Sequence, residues 1–251
     1  MASPAPVTVV IPTRNEGAQI AECVGRLAWA AEVIVVDGGS TDGTRELARA
    51  AGARVLDGAV VQGPTIAHQR NAGIGAATHE WVFALDADER VGPELSAELA
   101  ATVAAPACEA YAVRRRNVFL GETVRHAGWG RDWVVRLFRK NRRFVERKVH
   151  EALEPVPDVG RLAAPLDHVP YRDLTSYLQK LDRYTAWAAE ELAAHGRRPR
   201  VTDLIVRPPA RFVRMYFLQL GILDGWRGAM LCGLAAASVL VKYARLWERS
   251  R

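Results

Sequence analysis

Asp86 and Asp88 are separated by one residue and follow directly on the apolar run Trp81 to Leu85. In a chain leaving a strand, positions i and i+2 point the same way. The pair can therefore present a carboxylate oxygen to a hard divalent cation whose other ligands are phosphate oxygens and water. Such an ion neutralises a departing diphosphate. Taken alone, this spacing equally describes Asp86 as a turn cap and Asp88 as a solvated carboxylate. Two sister clusters favour the metal reading: Pro12-Thr13-Arg14-Asn15-Glu16 follows the run Val7 to Ile11, and Asp37-Gly38-Gly39-Ser40-Thr41-Asp42-Gly43-Thr44 follows Val33 to Val36. Asp37 can accept hydrogen bonds from a ribose hydroxyl or a base N–H. It can also hold its own turn, with Thr41 or Asp42 as the next helix's N-cap.

Strands must carry these clusters, and the pattern supplies them. Val7–Ile11, Val33–Val36, Arg54–Leu56 and Trp81–Leu85 are short apolar runs; the helical stretches Gln19–Ala30, Thr44–Ala51 and Ile66–Ala77 separate them. Strands apolar at every position and spaced by helices predict a mainly parallel sheet covered on both faces, an α/β doubly wound arrangement. In such sheets ligands bind beyond the carboxyl ends of the strands, where all three clusters fall. No G-x-x-x-x-G-K-[ST] loop is present, and no G-x-G-x-x-G follows the first strand, which removes most kinase-like and nicotinamide-dependent readings. After Pro106 the chain predicts short, loop-rich β segments. From Leu174 helix dominates, first to about Gly196 and then, with glycine interruptions, from about Pro209 to Trp247.

The chain has 251 residues, 49% of them apolar and 25% charged, with 13 prolines and 20 glycines. One α/β domain with a helical extension fills that length. The net charge of +6 hides a split. Residues 1–100 hold seven Lys+Arg against thirteen Asp+Glu, whereas residues 101–251 hold twenty-seven against fifteen. Cys23, Cys108 and Cys232 are far apart and in no C-x-x-C pattern, so they predict small core residues of an intracellular protein. The first apolar run is too short for a signal peptide.

Thr8-Val9-Val10-Ile11-Pro12-Thr13-Arg14-Asn15-Glu16, Val35 through Thr44, Arg70-Asn71-Ala72-Gly73 and Leu85-Asp86-Ala87-Asp88 stand in order and together resemble the signature of family 2 inverting glycosyltransferases of GT-A (Rossmann-like) fold. The resemblance covers about the first 150 residues; the remainder is similar to the lipopolysaccharide core glucosyltransferase branch, the WaaE-like proteins. It implies a UDP-sugar donor, with Pro12, Thr13, Asn15 and Glu16 lining the nucleotide pocket, Asp37 on the uridine and Arg70 on the nucleotide sugar or its phosphates. Asp86 would lie against ribose or sugar, and Asp88 would hold Mg²⁺ or Mn²⁺. An inverting transfer needs a base for the acceptor hydroxyl. The branch carries a step similar to Val149-His150-Glu151, which implies Glu151 as base with His150 beside it; Asp132 is the rival, and Glu151 can alternatively pair with a nearby Arg or Lys. H-E-x-x-H is absent, because Glu154 stands where the second histidine would be. Trp129 and Trp133 are candidate sugar platforms, or core or loop anchors. Arg136, in a step that resembles the family's, is a candidate for a donor phosphate.

The acceptor implied by the branch is a glycolipid, plausibly the heptose region of a lipopolysaccharide inner core. A polyprenyl phosphate is the alternative, and a nucleotide-sugar-binding protein without turnover the more distant one. The sequence predicts three parts: a nucleotide-sugar-binding half over 1–105, an acceptor-binding half over 106–172 and a helical region over 173–251. Six Lys+Arg lie between Arg197 and Arg214, beside Phe212, Met215, Tyr216, Phe217, Leu218 and Leu220. Basic residues interleaved with aromatics suit a helix lying on an anionic membrane surface, and a tightly packed helical hairpin is the other reading. The apolar stretch Gly228–Val241 is expected to be too short to span a bilayer. A cytoplasmic protein, peripheral on the inner face of the cell membrane, is expected. Nucleic-acid binding is not: no recognisable nucleic-acid motif appears, and the acidic first part would repel a duplex.

Overall fold

The computed structural model describes residues 3–57, 65–130, 132–145, 152–171 and 173–250. Two compact units are present: Met1–Arg115 with Asp132–His168, and Arg116–Arg131 with Val169–Arg251. Segment 116–131 thus belongs with the C-terminal helices, whereas the sequence reading placed it with the middle of the chain.

The first unit begins with β1 (Ala5–Thr13), α1 (Ile20–Gly25), β2 (Ala30–Asp37), α2 (Thr44–Ala50), β3 (Arg54–Leu56), α3 (Ile66–Ala76) and β4 (Trp81–Ala84). It continues through β5 (Glu89–Arg90), α4 (Pro93–Ala104) and β6 (Ala110–Phe119), whose end passes into the second unit. Strands β1 to β4 pair in parallel, in the order β3-β2-β1-β4. The short strand β7 (Glu122–Thr123) lies in the second unit, and β8 (Trp133–Arg139) returns to the first, where it runs antiparallel to both β4 and β6. Then come β9 (Phe144–Val145), β10 (Ala152–Leu153), β11 (Val159–Arg161) and β12 (Leu166–Tyr171). Strand β12 pairs antiparallel with β5, setting His168 opposite Glu89.

Continuous apolar strands follow from burial on both faces. Val7, Val9, Ile11, Val35 and Phe83 pack with Ile20, Cys23, Leu27, Leu95 and Leu99, from the α1 and α4 side. On the other face Val10, Ile34, Val36, Val82 and Ala84 pack with Ala67 and Ile74 of α3 and with Phe138 and Phe144. Helix α3 lies against the sheet closely enough that a Cβ on Gly73 would come within 2.3 Å of a Val10 methyl carbon. Helix α1 is shorter than its sequence pattern suggests, since the chain turns at Arg26 and Leu27 to enter β2.

In the second unit α5 (Leu174–Ala194) starts at a reciprocal cap: Ser176 N donates to Asp173 Oδ1 at 2.7 Å, and Asp173 N donates to Ser176 Oγ at 3.2 Å. The second helical stretch is broken into α6 (Val201–Ile205), α7 (Arg207–Val213), a π turn over Arg214–Leu218, a 3₁₀ turn over Gly221–Asp224, and α8 (Gly225–Arg249). Phe119, Tyr177, Met215, Leu231 and Cys232 form this unit's main core. A cavity of about 260 Å³ between α5 and α8 is lined by Tyr177, Leu181, Tyr184, Ser238 and Lys242, among others. The stretch Gly221–Arg249 is long and apolar enough to cross a membrane by length and composition, a test that core helices also pass. The expectation from Gly228–Val241 understated this helix, because Trp226 and the residues after Lys242 extend it.

Candidate active site

The loops after β1 and β2 are locked to each other. Gly38 N donates to Thr13 O at 2.8 Å, and Asn15 N to Ser40 Oγ at 2.9 Å. Thr41 N donates to Asn15 Oδ1 at 2.9 Å, Glu16 N to Thr44 Oγ1 at 2.9 Å, and Gly17 N to Asp42 Oδ2 at 3.1 Å. These bonds explain why hydroxyl and carboxyl residues crowd both loops: each satisfies a backbone N–H that has left the sheet. Asn15 takes a left-handed backbone (φ +59°), which asparagine tolerates better than most residues. The N-cap of α2 is Gly43 rather than the expected Thr41 or Asp42, although Asp42 Oδ1 accepts from Thr44 N.

Pro12 and Thr13 are buried, Glu16 is half-buried and Asn15 is exposed. Asp37, assigned to the uridine by resemblance, has no exposed surface. Its Oδ2 accepts from Gly39 N (3.2 Å) and Ser40 N (2.9 Å), and its Oδ1 from Ser40 Oγ. In this conformation the carboxylate shapes the turn rather than opening onto a ligand.

Beyond β4 lies a network of alternating charge. Asp86 is ion-paired with Arg70 through Oδ1 and with Arg136 at 2.6 Å through Oδ2. The same Arg136 nitrogen is 2.6 Å from Glu89 Oε1, and Glu89 Oε2 accepts from Asp86 N at 2.9 Å. Arg115 lies 3.7 Å from Glu89 and 2.7 Å from Asp132. Burial opposes ionisation of Asp86, but the Arg136 and Arg70 guanidiniums outweigh it and hold its carboxyl below the usual carboxylate range. Burial pushes Glu89 up, aided by the Asp86 charge and opposed by Arg136. The Arg136 side chain is 5% exposed and committed to these two carboxylates, so a donor phosphate is not its present partner. Asp132, the rival base, is held by Arg115.

Asp88 lies two residues beyond Asp86, with His168 Nε2 at 3.7 Å from its Oδ1, and its charge adds to the burial that raises Glu89. The sequence reading missed His168. It lies eighty residues on and reaches Asp88 only because β12 pairs with β5, a register for which the linear chain carries no signal. Among the described residues no group of three or more His, Cys, Asp or Glu could hold a metal. The carboxylate suits a hard ion such as Mg²⁺ or Mn²⁺, and the imidazole nitrogen beside it favours Mn²⁺ of the two, leaving most of the coordination to water and substrate phosphates.

Arg70-Asn71-Ala72-Gly73 acts at three points. Arg70 pairs with Asp86; Asn71 receives Phe144 N (2.8 Å) and donates to Phe144 O (2.9 Å); Gly73 admits Val10 and Val36. Trp133 opens β8, partly exposed, with the Arg161 guanidinium 5.0 Å from its ring centre. In the second unit Trp129 packs edge-on to Phe119 and stacks on Tyr171, a core placement. Glu151 and His150 lie outside the described residues.

The ordered motifs and this strand-end geometry coincide with a family comparison. The lipopolysaccharide core biosynthesis glycosyltransferase LpsC of Rhizobium meliloti is 29% identical to this chain over 95% of it and 93% of LpsC. An uncharacterised glycosyltransferase of Rickettsia typhi, RT0209, is 23% identical over 97% of this chain and 87% of its own length. Among solved structures, glucosyl-3-phosphoglycerate synthase of Mycobacterium tuberculosis, with Mn²⁺, uridine diphosphate and glucosyl-3-phosphoglycerate, is 25% identical. That match covers 45% of this chain and 44% of the synthase, with a TM-score of 0.39. The model of glycosyl transferase family 2 matches residues 8–159. The protein is an α/β enzyme with a mainly parallel sheet and a helical C-terminal extension, and the chain belongs to glycosyl transferase family 2.

Proposed function

We propose that the protein transfers a hexose, glucose in the first instance, from a UDP-sugar to a glycolipid with inversion at the anomeric carbon. The heptose region of a lipopolysaccharide inner core is the favoured acceptor. The observation that carries the reading is the approach of His168 Nε2 to Asp88 Oδ1 at 3.7 Å, beside the Asp86 network at the carboxyl end of a buried strand. The near full-length likeness to LpsC supports the choice of acceptor.

In this reading Pro12, Thr13, Asn15 and Glu16 form the nucleotide pocket, and Asp37 keeps their loop and its neighbour in shape. Arg70 and Arg136 fix the Asp86 carboxylate, which accepts hydrogen bonds from ribose or sugar hydroxyls. Asp88 and His168 hold Mg²⁺ or Mn²⁺. When bound, that ion offsets the charge that develops on the departing diphosphate. Glu151 removes the acceptor proton, with His150 orienting it, as the acceptor oxygen attacks from the face opposite the leaving group. Trp133, exposed at the start of β8, offers an apolar ring to an acceptor sugar. The enzyme works in the cytoplasm on an anionic membrane surface, to which the basic second part is drawn.

The test is to incubate the purified protein with a panel of nucleotide sugars and Mn²⁺ and to follow UDP release with and without core glycolipid. UDP-glucose turnover that rises with the glycolipid is expected. No binding or hydrolysis of any donor would overturn the reading.

A further inference from the structure

The turn between the π segment and α8 presents an unusual surface. Phe217, Leu218, Leu220, Ile222, Leu223 and Trp226 are all exposed, with Leu218 at 76% and Leu223 at 64%. Six large apolar side chains in ten residues, each facing outward, form the kind of patch that a soluble surface avoids. Floppiness does not explain it, because the turn is tied down by polar contacts within its own unit. Ala127 N donates to Gln219 O at 2.8 Å, and His126 N donates to Asp224 Oδ2 at 2.9 Å. Arg125 N reaches Asp224 Oδ1 at 3.2 Å, and the His126 ring lies 3.0 Å from the same oxygen. Gly221 and Gly228 close the base of the turn so tightly that a Cβ on Gly228 would fall 1.9 Å from Gly221 O. Leu220 is held at φ +57°, a backbone conformation that favours glycine, with its side chain outside.

Basic residues flank the turn, and the exposed Glu122 is ion-paired at 3.6 Å with Arg227 just after it. Arg211 and Arg214 are exposed just before it. The acids of this stretch are turned inward: Asp203 is ion-paired with Arg197 and Arg207, and Asp224 is bonded to segment 125–126. A rigid apolar tip that carries Phe and Trp behind a collar of arginines is complementary to one partner, the interfacial layer of an anionic bilayer.

We infer that turn 217–226 is a membrane wedge, a preformed apolar tip that enters one leaflet while arginines engage lipid phosphates. This rests on the glycolipid-acceptor reading and gives it a physical anchor. Helix α8 does not cross the bilayer in this arrangement.

Flotation of the full-length protein with vesicles, without donor or acceptor, tests the wedge. Vesicles of phosphatidylcholine mixed with phosphatidylglycerol should carry the wild type. The double variant Leu218→Asp, Leu223→Asp should lose partitioning by on the order of a hundredfold while keeping its thermal melt and UDP release. Arg211→Gln with Arg214→Gln should abolish the preference for anionic over neutral vesicles. Equal flotation of wild type and the Leu double variant would overturn the wedge. So would carbonate-resistant insertion into natural membranes, which marks a spanning helix, or a stable dimer in solution that the Leu double variant dissociates. If the wild type transfers sugar to detergent-dispersed glycolipid yet does not float, the wedge fails while the acceptor reading stands. If it floats but glycosylates no lipid, the acceptor reading fails alone.

Discussion

Arg136 holds Asp86 from behind: its Nη2 lies 2.6 Å from Asp86 Oδ2 and, through the same atom, 2.6 Å from Glu89 Oε1. One buried cation thus fixes the carboxylate that leads the Asp86-Ala87-Asp88 step. Arg136→Met leaves Glu89, which has no exposed surface, without its closest positive partner. Breaking a buried ion pair from one side costs about 3–5 kcal/mol, and chemical denaturation should register a loss of that order. A smaller loss in Arg136→Lys is expected, since the ammonium keeps the charge and forfeits the planar fork.

The two carboxylates of that cluster should give stability slopes of opposite sign. Asp86 is held below its ordinary value, so its contribution is complete above the unfolded value of about 3.9 and is lost as pH falls through the folded one. Glu89 is raised, chiefly by burial. Its contribution is complete below the unfolded value of about 4.3 and is lost as pH rises through the raised folded value. Glu89→Gln keeps an acceptor for Asp86 N and removes the titration. Its denaturation midpoint should fall less than that of the wild type as pH rises from about 4 toward neutrality; parallel curves for the two proteins would refute the assignment.

Two glycines in α3 make opposite predictions. A Cβ at Gly73 would meet Val10 at 2.3 Å and Val36 at 2.9 Å, whereas at Gly75 nothing lies within 4 Å. Gly73→Ala forces helix and sheet apart and should destabilise by about 1–3 kcal/mol. Gly75→Ala relieves the entropic cost of an exposed helical glycine and should stabilise by about 0.5–1 kcal/mol. Urea titration of both variants checks the pair in one experiment.

The strands were legible because the centres of β1, β2 and β4 are buried on both faces, so apolar residues run almost unbroken there and burial shows directly in composition. The same property made the loops after them stand out as the polar strand ends. Antiparallel β8 was hidden, since Trp133-Val134-Val135-Arg136-Leu137-Phe138-Arg139 carries two arginines and shows no clean alternation. Those arginines serve specific partners: Arg136 the Asp86 cluster, and Arg139 both Glu80 and the Trp81 ring. Three-dimensional pairings were equally silent. Asn71 of α3 meets Phe144 of β9, and Asp88, just before β5, meets His168 of β12; only residue types, not distances, are written in the chain. The sequence shows a helical stretch with glycine interruptions across 217–226 but not the apolar turn itself, because Leu220 in a left-handed conformation has no signature in composition.

The assignment of the base separates two substitutions. Asp132 is bound by Arg115 Nε and Nη2 at 2.8 and 2.7 Å on one oxygen, an arrangement suited to holding β6 and β8 in place. Asp132→Asn should weaken transfer only modestly and lower stability by about 1 kcal/mol, as for a partly exposed charged hydrogen bond. Glu151→Gln should leave UDP affinity unchanged in calorimetry and abolish glycosyl transfer. The reverse pattern would make Asp132 the base.

Asp88 and His168 should act as a unit on the divalent ion. With Oδ1 and Nε2 3.7 Å apart, removal of either leaves one protein ligand in place of two. Asp88→Asn replaces an anionic oxygen by a neutral one and should abolish Mn²⁺-dependent UDP release. His168→Ala should raise the Mn²⁺ concentration for half-maximal activity, with partial recovery at high Mn²⁺. His168→Asn, which keeps a donor atom near the same place, should fall between the two. Water-proton relaxation during a Mn²⁺ titration, with UDP present and no acceptor, reads the same order without turnover. If His168→Ala binds Mn²⁺ as the wild type does, the imidazole serves only to position Asp88, and the ion rests on Asp88 and the diphosphate alone.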